Sequence, residues 1–190
     1  MAVETETVEV HRWTPEEYHR LVESGGFNED TRVELIDGLL VDMRPKTPAH
    51  EVSVRWLFDR LLDLGLDRRR YAIGVGAPLS LDRSEPEPDL IVFERSTPRP
   101  YHPATAELVI EVSLSSLRRD LRQKPPIYAR ANIPHYWVID LAGRRAVVHS
   151  QPGPNGYARI ETRGPGGALA APHLGIASIE LADLLAAARS

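Results

Sequence analysis

Apolar residues along this chain recur at two different periods, and the switches between periods mark its elements. Residues 32–43, RVELIDGLLVDM, form two apolar-rich runs joined at Asp37-Gly38, a strong hairpin signal because such two-residue turns need positive φ. From His50 to Leu64 the residues Val54, Leu57, Phe58, Leu61 and Leu62 recur at helical spacing, and Gly65 stops them. DLIVFE (89–94) and ELVIEVS (107–113) are continuous apolar runs of the kind that form buried strands.

Weaker signals fill the intervals. Thr14-Pro15-Glu16-Glu17 predicts a helix start with a capping box, and Gly25-Gly26 its end. Short strands are expected at 71–75 and 79–81 around a Gly-Pro turn, then a Pro-rich loop over 97–103. Residues 117–132 read as helical. Pro125 and Pro126 are tolerable there only in a first turn, which puts the regular start near 121 to 123. HYWVID (135–140) and RRAVVHS (144–150) predict a hairpin about Ala142-Gly143, with a further strand near 157–162. A Gly/Pro-rich loop follows over 163–175, and Ser178 is the expected cap of a C-terminal helix. No repeat and no linker interrupts this order. The expectation is one α+β domain with an α/β-like core over 1–190, built on a mixed sheet flanked by helices.

Composition narrows the class of protein. The 190 residues are 42% hydrophobic and 26% charged, the balance of an ordinary folded chain. No apolar run approaches the roughly 20 residues of a membrane-spanning helix, and the acidic, alternating N-terminus lacks the form of a signal peptide. A cytoplasmic location is therefore expected. The absence of cysteine excludes disulfides, thiolate metal sites and cysteine nucleophiles. A net charge of -4 argues against nonspecific attraction to nucleic acid, and the arginine clusters at 68–70, 118–122 and 144–145 read as solvated surface. Of 23 basic residues only Lys46 and Lys124 are lysine.

Candidate chemistry lies where the apolar pattern breaks. Asp89 opens one buried strand and Glu111 interrupts the other. An ionised carboxylate in such a run costs several kcal/mol unless compensated, by a basic partner, a divalent metal, or exposure on an open strand face. Glu34 interrupts the first hairpin strand and is open to the same two readings, site or solvent. Lys124 is either an ordinary helix lysine or an ammonium chosen for its point charge and tunable pKa. Three carboxylates with one cation have the donor chemistry that Mg²⁺ or Mn²⁺ selects. No Walker loop, G-x-G-x-x-G or nucleophile elbow is present. His102, His135, His149 and His173 lack zinc-site spacing, so none is assigned a metal. Tyr128, Tyr136 and Trp137 are assigned to packing in preference to base stacking.

Taken together, ELIDG (34–38), His50, EPDL (87–90), LVIEVS (108–113), Lys124, Tyr128-Ala129 and IPHYWVID (133–140) resemble the PD-(D/E)XK nuclease superfamily. Within it they resemble the bacterial Uma-type family of restriction-endonuclease-like proteins. The likeness runs from about residue 13 to about 150, leaving 151–190 as a β-rich extension. It implies a restriction-endonuclease-like fold with metal ligation by Asp89 and Glu111, and Glu34 as the additional acidic residue. The superfamily lysine two residues after the glutamate is replaced by Ser113. The Uma-type branch moves that lysine to the next helix, where Lys124 stands. Ser113, His50 and Pro88 are then candidate site-lining residues.

The implied function is Mg²⁺- or Mn²⁺-dependent hydrolysis of phosphodiester bonds, with DNA the expected substrate and Lys124 positioning the attacking water. The rival is a degenerate nuclease fold that binds nucleic acid or protein without cutting, which the net negative charge favours. A third reading, a hydrolase of a small phosphorylated molecule, would call for a closed acidic pocket. Double-strand cleavage would call for two sites, which makes a homodimer the state to look for, through strands 135–150 or segment 5–12.

Overall fold

The computed structural model describes residues 10–28, 30–99 and 101–189. Its centre is a six-stranded sheet in the order β3-β4-β5-β6-β7-β8. The strands are β3 (Tyr71–Val75), β4 (Leu90–Glu94), β5 (Leu108–Ser113), β6 (His135–Asp140), β7 (Arg145–Gly153) and β8 (Gly156–Arg163). Only β5 and β6 run parallel; the other neighbours are antiparallel. A parallel pair needs a crossover, supplied here by the helices α3 (Leu117–Arg122) and α4 (Lys124–Arg130).

Each face of the sheet buries a separate apolar layer. On one side Leu90, Val92, Leu108, Ile110 and Val112 pack against Val54, Leu57 and Leu61 of α2 (Pro48–Asp63) and Leu181, Leu184 and Leu185 of α5 (Leu181–Ala187). On the other, Ile91, Val109, Val138 and Val147 meet Ile127 and Tyr128 of α4 and Tyr157 of β8. Tyr128, Tyr136 and Trp137 are fully buried, as the packing assignment requires. All of β5 is buried, so the face carrying Glu111 is covered and not open.

Several local expectations meet corrections. Residues 79–81 form no strand; they make an isolated bridge between Leu81 and Ser84 and single backbone bonds from Leu79 to Pro86 and from Ser80 to Pro103. The helical stretch 117–132 is two helices broken at Gln123. Pro125 and Pro126 cannot donate to a preceding turn, so they start α4 instead of continuing α3. Ser178 caps nothing: the two-residue strand β10 (Ile179–Glu180) intervenes, pairing with β9 (Ala168–Leu169), and Glu180 precedes α5. The hairpin 135–150 is interior, because β8 covers β7 and forms the sheet edge. It therefore offers no exposed strand to a second copy. Of segment 5–12, residues 5–9 lie outside the described residues.

Among the described residues no helix is long and apolar enough to cross a membrane.

Candidate active site

The first carboxylate arrives on a hairpin. β1 (Val33–Ile36) and β2 (Leu39–Asp42) pair through Asp37 and Gly38, both at positive φ (51° and 79°), the conformation that tight hairpin turns favour. At Gly38 a Cβ would also stand 2.8 Å from Arg12 Cβ. β1 is then fastened to the segment before β4, since Leu35 and Glu85 exchange backbone hydrogen bonds of 3.3 and 2.7 Å. Glu34, next in line, turns inward and is buried. Its carboxylate accepts from the Glu87 amide (3.2 Å) and from Arg119 Nη1 (2.6 Å), and lies 3.0 Å from Lys124 Nζ.

Sheet register supplies the next pair. Leu90 stands opposite Ile110 and Ile91 opposite Val109, so one further step sets Asp89 across from Glu111, on the same face. Asp89 Oδ2 accepts the Val112 amide at 2.8 Å. Its Oδ1 lies 2.9 Å from His50 Nε2 and 3.8 Å from Lys46 Nζ. Glu111 Oε1 accepts from Lys124 Nζ at 2.7 Å and from the Tyr128 hydroxyl at 3.3 Å.

Lys124 reaches these acids because it is the first residue of α4, at the break that the prolines impose. Asp120, in the first turn of α3, lies 3.9 Å from the same ammonium. The hydroxyls of Ser113 and Ser116 both donate to its carboxylate, and Tyr136 Oη donates to its carbonyl at 2.8 Å. Ser113, where the superfamily lysine would stand, thus anchors the helix that leads into the lysine.

The cluster holds positive charge tightly. Burial alone would lower the Lys124 pKa, but the Glu111, Glu34 and Asp120 carboxylates outweigh it and keep the ammonium above its ordinary value. Burial pushes the Glu111 carboxyl well up; Lys124 opposes this, while Asp120, Asp89 and Glu34 add to it. Asp120 is raised by burial as well, against the pull of Lys124.

Of the residues singled out in the sequence, Glu34, His50, Asp89, Glu111 and Lys124 all line one cleft. Pro88 is buried between two residues that line it, Glu87 and Asp89, and Ser113 is buried with its hydroxyl on Asp120. The sequence reading missed Lys46, Glu87, Arg119 and Asp120, which also line the cleft. Arg119, which reads in the sequence as a solvated arginine, makes a salt bridge to buried Glu34 and a second bond to the Asp42 carbonyl at 2.9 Å. Lys46 carried one available signal, as the only other lysine.

Three comparisons bear on this arrangement. The family described as "Uma2: Putative restriction endonuclease" matches residues 15–183. The fold is similar to the crystal structure of a "putative nuclease belonging to DUF820" from Anabaena variabilis, at a TM-score of 0.75 and 15% identity, covering 93% of this chain and 99% of that one. No curated protein matches significantly.

Proposed function

The chain belongs to the Uma2 restriction-endonuclease-like family, and from that premise we propose that it hydrolyses phosphodiester bonds of nucleic acid, DNA in particular, with a divalent metal. One observation carries the reading. Asp89, the residue before β4, and Glu111 on β5 face the same cleft as Glu34, and a single buried lysine lies within 3.0 Å of both glutamates.

The donor set is all oxygen, which suits a hard ion such as Mg²⁺ or Mn²⁺. Asp89 and Glu111 would hold it. Lys124 bridges Glu34 and Glu111 in this structure, so Glu34 would join directly or through a water. When bound, such an ion activates water and neutralises charge on a phosphodiester. The protein's own residues do the rest. Lys124 directs a fixed ammonium at the cleft, where it orients a nucleophile and meets charge developing on phosphate oxygens. His50 and the Val112 amide fix the two oxygens of Asp89, and Arg119 fixes Glu34.

Arg44 and Lys46 line the cleft, and Lys46 and His50 also line a neighbouring groove along α2, where Arg55 is balanced by Glu51 and Asp59. A polyanion would therefore depend on a bound cation to offset the carboxylates of the cleft. A second reading, a binding module that does not cut, is favoured by Lys124 already neutralising two of the acids.

The test is cleavage of supercoiled plasmid, single-stranded DNA and RNA in Mg²⁺, Mn²⁺ or EDTA, beside Glu111→Ala and Lys124→Ala. Metal-dependent cutting lost in both variants is the expected result. Binding without cutting in every metal would instead favour the module.

A further inference from the structure

A second cluster of ligand-type side chains gathers at the segment before β4, beside a separate cavity, and no step of the proposed reaction uses it. His19 of α1 (Pro15–Glu23), Glu85 of the segment before β4, and His102 of the proline-rich loop bring one ligand atom each within 4.8 Å of one another. The sequence gives no hint of this, because the three residues come from separate elements with none of the short spacing of zinc motifs.

The cluster has the features of a built site. Glu85 is 3% exposed, unusual for a carboxylate. Its Oε2 lies 2.7 Å from His19 Nε2, yet that contact lacks hydrogen-bond direction, and neither buried atom has any other partner among the described residues. Two polar atoms desolvated in this way are costly unless something satisfies both. The surroundings hold the ligands in place. Ser80 Oγ donates to Glu85 Oε1 at 2.7 Å and accepts the His102 amide at 3.1 Å, so one hydroxyl orients two of the three ligand residues. The His19 ring stacks on Tyr101 with centroids 3.7 Å apart. Outer contacts of this kind are what fix ring and carboxylate orientation around metals. A cavity of about 110 Å³ opens beside His19, Glu85 and His102, room for water in a fourth position.

We propose that His19, Glu85 and His102 bind one divalent transition-metal ion of the Zn²⁺ class. Two imidazoles and one carboxylate select such an ion over Mg²⁺, which prefers oxygen alone. Bond lengths of about 2.0–2.2 Å set tetrahedral ligand atoms about 3.4 Å apart, a spacing between the 2.7 Å that separates His19 Nε2 from Glu85 Oε2 and the 4.8 Å that bounds the set. The ion would clasp α1 and the proline-rich loop to the segment that runs through Glu85 and Glu87 into Asp89. The inference stands independently of the proposed nuclease activity.

The experiment uses the full chain, stripped by chelator and dialysed, with millimolar Mg²⁺ present to occupy the carboxylate cleft. Zn²⁺ is titrated against a chromogenic chelator, and Co²⁺ is added separately to read visible absorption. Wild type and Asp89→Asn are expected to bind one equivalent of Zn²⁺ and to melt at a higher temperature with it. His102→Ala should bind at least about 100-fold more weakly, beyond the cost of losing only an outer-shell partner. Its metal-free melting temperature should stay near that of wild type. Zn²⁺ binding that survives in His102→Ala, or that Asp89→Asn abolishes, overturns the proposal. Should His102→Ala fail to fold, the wild-type Co²⁺ spectrum decides. Intense bands of nitrogen-containing four-coordinate ligation support the site, and the faint absorption of six-oxygen ligation overturns it.

Discussion

Lys124 Nζ and Glu111 Oε1 meet at 2.7 Å in a place almost closed to water, with the two side chains 4% and 6% exposed. The contact joins the central strand β5 to the first residue of α4. The same ammonium also touches Glu34 at 3.0 Å, so its removal leaves Glu111 buried with no cationic partner and Glu34 with Arg119 alone. Breaking one side of such a pair costs about 3–5 kcal/mol. Lys124→Met is therefore expected to lower stability by that order in urea unfolding. The Lys124→Met/Glu111→Gln double variant should recover much of the loss. If the two changes simply add, the residues are not energetically coupled.

Activity should separate from stability at Asp89. Asp89→Asn keeps the volume of the side chain and an oxygen for the Val112 amide, while removing the negative charge that would hold a metal. Cleavage in Mg²⁺ is expected to fall by ~10²-fold or more, with the melting temperature within a few degrees of wild type. A variant that nicks plasmid at the wild-type rate would exclude Asp89 as a ligand.

Arg119 acts through Glu34. Its two nitrogens hold Glu34 Oε1 and the Asp42 carbonyl, a forked contact that pins the β1–β2 hairpin to α3. Lysine cannot reproduce the fork. Arg119→Lys should therefore speed amide hydrogen exchange over residues 33–42 and leave the exchange of β5 unchanged. Uniform acceleration throughout the sheet would instead mean a global loss of stability.

These contacts also show why the sequence exposes some features and hides others. Glu34, Asp89 and Glu111 stand out because each places a charge inside an apolar run, a violation visible in one dimension. Lys124 stands out by composition. The hairpin at Asp37-Gly38 and the cap at Thr14 are local, so local chemistry predicts them, and the capping box between Thr14 and Glu17 is present. Arg119, Lys46 and the His19–Glu85–His102 cluster are different. Their meaning comes only from partners far along the chain, and an arginine looks the same in sequence whether it faces water or Glu34. The break at Gln123 was half legible. The prolines require a helix start, but nothing local shows that α3 precedes it as a separate helix anchored by Ser113 and Ser116 on Asp120.

Acid should weaken the protein through histidines at the far end of β6. Burial, with a smaller contribution from His173, lowers the His135 pKa from 6.5 to about 4, and burial lowers His149 as well. Native His135 thus stays neutral down to about pH 4, whereas in the unfolded chain it protonates near 6.5. Between those values the unfolded state binds the extra proton, so stability falls as pH drops through that window and levels off below it. His135 is half-buried, which limits its share to about 1 kcal/mol after solvent screening, or about 2–4 °C in melting temperature for a domain of this size. Between pH 7 and pH 4.5 the wild type should lose that much more melting temperature than His135→Gln, measured by circular dichroism in metal-free buffer. Parallel curves for the two proteins would assign the acid sensitivity to His149 instead.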